Sequence, residues 1–462
     1  MKQPGEILLI SCYELGHQPL GLASPLGFLK EAGYPATGVD AATEKIAASY
    51  LSSAKFIGIS TPMHTAMCIG VEIAEHIRTF NPDAHLCFYG LYASLNTDYL
   101  LERLADSVIG GEYEQALLSL VQSLESGDAI PSGVRTRPDA AAPFLQRLPF
   151  KVPYRNALPP VTQYAHLDAG DTTVPAGYVE ASRGCLHTCL HCPITPVYKG
   201  RFFIVPADVV LADISQMIEM GAQHITFGDP DFLNGPGHTL KIARMLHNNF
   251  PEVTFDITTK VEHILEHEEK FGELKALGCV FVVSAVESVS QVVLERLKKG
   301  HSREDIYQAL RILNEADIPM RPSLVAFTPW TTASDYLEML SFIEERALID
   351  HVDPVQYTIR LLVPPGSALL DQPDTKSWLG PLDQINFTYH WDHPDPRMDT
   401  LYSQVNRLVE VADNRSEDPL TTFNDIKSIC REHFGDSVRF PLPVPISQRR
   451  RRIPKLTESW FC

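Results

Sequence analysis

A chain of 462 residues is too long for one ordinary hydrophobic core, and with 44% apolar and 21% charged residues it has the make-up of two or three globular domains. A formal net charge of −18 disfavours binding to phosphate backbones, and no apolar run is long enough to cross a bilayer. The first residues, MKQPGEILLISCYELG, lack the long apolar stretch and small-residue cleavage site of a secretory signal, so a cytoplasmic protein is expected, and the basic run at 449–452 reads as a solvated patch.

In chain order, ILLIS (7–11), FIGIS (56–60), HLCFYG (85–90) and DSVIGG (106–111) are short apolar strands, separated by helical patterns near 23–32 and 69–79 and followed by the helix EYEQALLSLVQSL. Strands that are apolar throughout and alternate with helices predict a doubly wound α/β domain over residues 1–126. Its ligands would bind at the carboxyl ends of the strands, in the loops beginning at Cys12, Thr61, Gly90 and Gly110. Residues 127–175 are rich in Pro and turns and read as an ordered linker.

Alternation resumes over 176–365. Six strands are predicted, GYVEAS (177–182), HITFGD (224–229), TFDITT (254–259), CVFVVSA (279–285), PMRPSLVAF (319–327) and PVQYTIRLL (354–362). Helices near 206–220, 238–249, 268–276, 302–316 and 334–345 separate them. Six βα units rather than eight predict a partial (β/α)6 barrel with its reactive centre at the carboxyl ends of the strands. A C-terminal extension, 366–462, carries one predicted helix at 399–412.

Nine cysteines are present, and three crowd into EASRGCLHTCLHCP as C-x3-C-x2-C, on the loop after the first barrel strand. Such crowding suits metal ligation in a reducing compartment better than a disulfide framework. Cys68, Cys87 and Cys279 read as core fillers. Thiolates are the usual ligands of iron-sulfur clusters, and three of them leave one iron with an open position. The alternative is a structural zinc completed by His187 or His191.

This motif on the loop after strand one of a partial barrel resembles the radical S-adenosylmethionine (radical SAM) superfamily. The resemblance implies a 4Fe-4S cluster held by Cys185, Cys189 and Cys192, whose open iron chelates SAM and splits it to a radical. It also implies SAM contacts at Gly228 and Asp229 after strand two, Lys260 after strand three, and Ser284 and Glu287 on strand four. Arg321 and Arg360 are candidates for substrate or SAM, or else are paired in structural ion bridges. His191 stands where the family has an aromatic residue near the adenine.

A doubly wound domain ahead of such a barrel resembles the cobalamin-binding class, with corrin between the domains. Ser60, Gly90, Gly110 and Gly111 are implied along its nucleotide tail. The loop YELGHQPLG has His17 and Gly21 but no acid two residues before the histidine, so it departs from the D-x-H-x-x-G signature of a cobalt-ligating histidine. The stretches ELGHQPLGLASP, YVEASRGCLHTCLHCP, HITFGDPDFLNGP, TKVEHIL and DPVQYTIRLLVPPGS resemble the CUAEP/CCAEP-tail radical SAM proteins, whose chains end in Cys-Cys-Ala-Glu-Pro or Cys-Sec-Ala-Glu-Pro. That resemblance implies that Cys462, in LTESWFC, is the first of the tail pair, with an in-frame UGA selenocysteine codon after it, making Cys462 a redox-tail candidate.

The expected protein is an enzyme that reductively cleaves SAM, with cobalamin as methyl carrier, a small-molecule substrate and an electron donor such as flavodoxin or ferredoxin. No nucleic acid or membrane is expected as a partner. The alternatives are a SAM-dependent radical transferase or rearrangement catalyst without cobalamin, and a non-enzymatic cobalamin- or metal-sensing protein with structural zinc.

Overall fold

Successive residues of the first strand enter two different cores. Ile7 and Leu9 pack on one face of the sheet, against helices Leu20–Glu31 and Glu114–Ser126, while Leu8 and Ile10 pack on the other, against His64–Phe80 and Thr97–Arg103. A strand covered on both faces must be apolar at every position, which is why ILLIS and FIGIS read as unbroken runs. The computed structural model describes residues 1–137, 143, 145–435 and 453–458. The basic run 449–452 and Cys462 lie outside the described residues.

The first sheet contains β1 (Ile7–Ser11), β2 (Thr37–Asp40), β3 (Phe56–Ser60), β4 (His85–Tyr89), β5 (Ser107–Ile109) and β6 (Val134–Arg135), in the order β2-β1-β3-β4-β5-β6. β1 to β5 are parallel and β6 closes the edge antiparallel. The order reverses between β1 and β3, so their carboxyl ends diverge and leave a crevice. β2 is too short and too polar (TGVD) to stand out as an apolar run in the sequence.

The second sheet contains β7 (His166–Asp168), β8 (Thr173–Val179), and, after the hairpin of β9 (Ser182–Gly184) and β10 (Phe202–Ile204), β11 (His224–Phe227), β12 (Thr254–Thr259), β13 (Cys279–Glu287) and β14 (Met320–Leu324). β8, β11, β12, β13 and β14 run parallel in that spatial order, with helices between them in sequence. Residues expected in the linker therefore supply β7 and the start of β8, and the sheet begins about ten residues before 176. Farther along lie an antiparallel hairpin, β15 (Leu379–Asp383) with β16 (Thr388–Trp391), and β17 (Lys455–Leu456), which pairs with β7.

The sixth predicted strand, 354–362, is not a strand over that length. Pro354 opens a 3-10 helix through Tyr357, and the Gln356 side chain accepts the Leu324 N–H at 2.8 Å, taking the place of a strand backbone along β14. Only Arg360 joins the sheet, by a parallel bridge to Phe327. Arg321 and Arg360 pair with Asp353 at 2.6 Å and Asp399 at 2.7 Å, and Arg360 also stacks on Trp391, so both belong to structural ion pairs. Among its described residues the extension carries two α-helices, Pro396–Asn414 and Pro419–Phe434, rather than one. The expected core cysteines Cys87 and Cys279 are fully buried, and Cys68 is half-buried against the first core.

Candidate active site

The β9–β10 hairpin is the base of the cysteine loop. Gly184, immediately before Cys185, has φ +75, and a Cβ there would lie 2.5 Å from the Arg201 carbonyl, so the chain can enter the loop at this angle only with glycine. The Cys185 N–H donates to that same carbonyl at 3.1 Å. Leu190 N–H donates to Leu297 O, tying the far side of the loop to the segment after β13.

Cys185 and Cys189 are buried and Cys192 is half-buried. Burial pushes the Cys185 thiol up to about 11 and that of Cys192 to about 12, opposed by N–H groups of His187 and Ile194 that point at the two sulfurs. Such thiols ionise when a metal takes the proton's place. Lys299, buried and paired with Glu287 at 3.1 Å, is held cationic against its burial by Glu287 and by the nearby Cys189 and Cys192, and so offsets thiolate charge there. The two histidines of the zinc alternative have other neighbours: His187 lies beside Asp231 and His263, and His191 Nε2 lies 3.5 Å from Glu287.

The residues expected around SAM follow the strand ends. Gly228 lies under Tyr178, whose ring atoms would be 2.0 Å from a Cβ. Asp229 accepts from Ala181 N at 2.9 Å and Ser182 Oγ at 2.6 Å, which pins the segment between β8 and β9. Burial raises its carboxyl to about 7. Lys260 is buried and its ammonium is bound by Glu262. Ser284 Oγ is buried without a hydrogen-bond partner. Glu287, despite its side chain, has φ +61 where β13 shifts register, and burial of its carboxyl is outweighed by Lys299 and His191, which hold it ionised.

A cavity of about 240 Å³ lies between the two sheets and opens to solvent on one side. The first domain lines it with Glu14, Leu15, Leu20 and Gly21 after β1, Ser60, Pro62 and Met63 after β3, Gly90 and Leu91 after β4, and Gly111 and Tyr113 after β5. The second lines it with Tyr178, Glu180, Arg183, Gly184, Ile194, Tyr198 and Pro230, the flanks of the cysteine loop among them. Ser60, Gly90 and Gly111 thus come together as expected, but Gly110 does not reach the cavity. It packs on Ser94, whose Oγ would be 2.4 Å from a Cβ.

Charge is concentrated at this boundary. Arg183 pairs with Glu114 at 2.5 Å, Glu180 at 2.8 Å and Glu112 at 3.4 Å, and Tyr198 donates to Glu112. Burial raises the Glu112 carboxyl to about 7, against the pull of Arg183, and Glu14 to about 8. Arg155, fully buried, bridges the domains by donating to Gln18 O, Tyr178 O and Asp213. His17 stays off the cavity wall: its ring lies tilted against that of Tyr178, centroids 4.8 Å apart, and burial lowers its imidazole to about 3. Of these, Glu14, Glu112, Glu114, Arg155, Tyr178, Arg183 and Lys299 were not singled out by sequence; the only available signal is a charged residue set directly beside an apolar strand or glycine turn.

Residues 179–343 match the radical SAM superfamily. The chain is 23% identical over 267 residues to the hopanoid C-3 methylase of Methylococcus capsulatus, covering 56% of this chain and 50% of that protein, so it spans half the length of that relative. Among solved structures, the cobalamin-dependent S-adenosylmethionine radical enzyme OxsB with aqua-cobalamin bound superposes with a TM-score of 0.72 at 14% identity, over 93% of this chain and 71% of that one. The radical S-adenosylmethionine methyltransferase TsrM of Kitasatospora setae, with tryptophan and a SAM analogue bound, gives 0.60 at 16% identity over 74% of this chain and 71% of that one. At these identities both likenesses are likenesses of fold.

Proposed function

We propose, from the premise that residues 179–343 are a radical SAM domain and the chain a radical SAM enzyme, that it carries cobalamin in the cavity between its sheets and methylates a small molecule. The observation that supports this reading is the position of the cavity. Its walls are the carboxyl ends of β1, β3, β4 and β5 on one side and the flanks of the cysteine loop on the other, so a carrier held there would sit beside the cluster. OxsB and TsrM share this fold, and the structure of OxsB holds aqua-cobalamin.

The residues suit both groups. Three thiols on one loop, approached by the His187 and Ile194 N–H groups and by Lys299, are a donor set for a three-cysteine iron-sulfur cluster. The cavity offers apolar walls (Leu15, Leu20, Met63, Leu91) to a flat ring and carboxyls (Glu14, Glu180) to amide donors at its rim. When bound, the cluster supplies an open iron and an electron for SAM cleavage, and the corrinoid a carrier for a methyl group.

The chain's own part is placement. Asp229 holds the backbone at Ala181 and Ser182, and with it the direction in which Cys185 leaves β9. Lys299 and Glu287 fix a neutral pair beside the loop, and Glu287 reaches His191 from the other side. Ser284 Oγ and Asn234 Nδ2, both buried without partners, have unspent hydrogen bonds for SAM. Lys260 and Asp229 are engaged by protein groups and are assigned to support of the SAM site.

The test is an electron paramagnetic resonance spectrum of the anaerobically reconstituted, reduced chain with and without SAM, beside an absorbance titration with hydroxocobalamin. A cluster signal that SAM shifts, lost in C192A, together with saturable corrinoid binding, is the expected result. A SAM-shifted signal with no corrinoid uptake would leave a radical SAM enzyme whose first domain is a scaffold. No iron signal at all would sink the whole reading.

A further inference from the structure

Beside the cysteine loop three metal-ligating side chains converge that neither the cluster nor the cavity uses. His187 from the loop, Asp231 from the turn after β11, and His263 from helix Val261–Glu266 place one ligand atom each within 4.8 Å of the others, and Asp231 and His263 are buried. We propose that they form a second metal site, for a divalent cation of the zinc class.

The carboxylate is oriented for this. Asp231 Oδ1 is taken by Thr259 Oγ1 at 2.8 Å and Leu233 N at 3.1 Å, while Oδ2 receives only a long bond, 3.4 Å, from Lys260 N. Oδ2 faces His263 Nδ1 at 2.8 Å and His187 Nε2 at 3.5 Å, and both ring nitrogens are buried with no other partner. Three ligand atoms thus converge on one spot, the two ring nitrogens facing the one carboxylate oxygen. His263 is itself more than nine-tenths buried, so its Nδ1 must either bind a ligand or share a proton with Asp231.

The outer shell has the same logic. His187 Nδ1 faces Glu262 Oε2 at 3.5 Å, and Glu262 is in turn bound by Lys260. An imidazole whose second nitrogen meets a carboxylate is the usual support of a metal-bound histidine. Two neutral imidazoles and a carboxylate are a ligand set of the catalytic zinc kind, with a fourth tetrahedral position for water. The competing arrangement is a proton: an imidazolium on His263 beside an ionised Asp231, with no metal.

The site would anchor the cysteine loop at His187, two residues from both Cys185 and Cys189, by a bond that does not involve sulfur. It can therefore be examined without the cluster. The test is Co²⁺ binding to the full chain carrying C185A, C189A and C192A. Saturable uptake is expected, with ligand-field absorption and no sulfur-to-cobalt charge transfer. D231N and H263A should each abolish it, and T259V, which frees the carboxylate, should weaken it about 10- to 100-fold. No Co²⁺ uptake by a chain whose circular dichroism is unchanged overturns the proposal in favour of the proton, as does uptake that D231N and H263A leave intact. Should the triple variant not fold, metal analysis of the iron-reconstituted chain substitutes: zinc bound in addition to iron and lost in D231N supports the site, and iron alone refutes it.

Discussion

The cysteine loop draws its three thiols from the eight residues 185–192, whereas the charged wall beside it draws Glu14, Glu112, Glu114, Glu180 and Arg183 from segments that meet only when two domains dock. Burial keeps the Cys185 and Cys192 thiols protonated until a metal arrives. The wall is built around a fixed charge: desolvation of Arg183 is outweighed by Glu114, Glu180 and Glu112, which keep it cationic, while burial raises the carboxyls of Glu112 and Glu14. One region holds chemistry in reserve and the other holds the domains together. Substitutions should separate the two.

The largest effect on stability is expected at Arg183. Its side chain is 10% exposed, and Glu112 and Glu114 are wholly buried, so R183M leaves uncompensated carboxylates at the domain boundary. Breaking such a set by removing one partner costs roughly 3–5 kcal/mol. Urea unfolding of the metal-free chain measures it. C185A, by contrast, should abolish iron binding while shifting the same unfolding curve far less. Equal shifts for the two variants would erase the distinction between the regions.

Next in size is Gly228. A methyl group there would overlap Tyr178, with ring atoms at 2.0 Å, and overpacking of this kind costs about 1–3 kcal/mol. Tyr178 forms part of the cavity wall, so G228A should also disturb corrinoid binding. In a Y178A background the added cost of G228A should largely vanish, as measured by the same unfolding experiment; if it persists, the glycine is required by its backbone rather than by the ring above it.

What could be read from the sequence divides along the same line. The cysteine motif is contiguous, and a strand covered on both faces is apolar throughout, so the loop and most of the parallel strands were legible from local pattern. The helices at 302–316 and 334–345 were legible from their periodicity, and their capping boxes, Ser302 with Asp305 and Thr332 with Asp335, start them where expected. The stretch 354–362 has the composition of a strand, but a proline and one side-chain hydrogen bond from Gln356 decide otherwise, and that bond is made to a residue 32 positions away. Arg155 could not have been found either. Its worth lies in Gln18, Tyr178 and Asp213, which are distant in sequence and adjacent only in the folded chain. Gly110 and Gly111 show how narrow the limit is: two neighbours of one kind, one lining the cavity and the other packed on Ser94.

The smallest effect expected is also the one that joins the two regions. Burial raises the Glu14 carboxyl to about 8 from 4.5, with the Gly21 N–H pulling the other way. A carboxyl raised in the folded state contributes stability that is fully present below 4.5 and is lost as the pH rises through about 8, because the unfolded chain gives up its proton first. Stability of the ligand-free chain should therefore fall across that interval, and E14Q should flatten the fall. Glu14 is half-buried and its cavity admits water, so the difference is on the order of 1 kcal/mol. Thermal unfolding at a series of pH values measures it. Hydroxocobalamin then makes the measurement diagnostic. If corrinoid amides donate to Glu14, they stabilise its carboxylate, and the slope should flatten in the parent chain but not in E14Q. A slope that the corrinoid leaves unchanged in both would place the ligand away from Glu14, on the far wall formed by the cysteine loop.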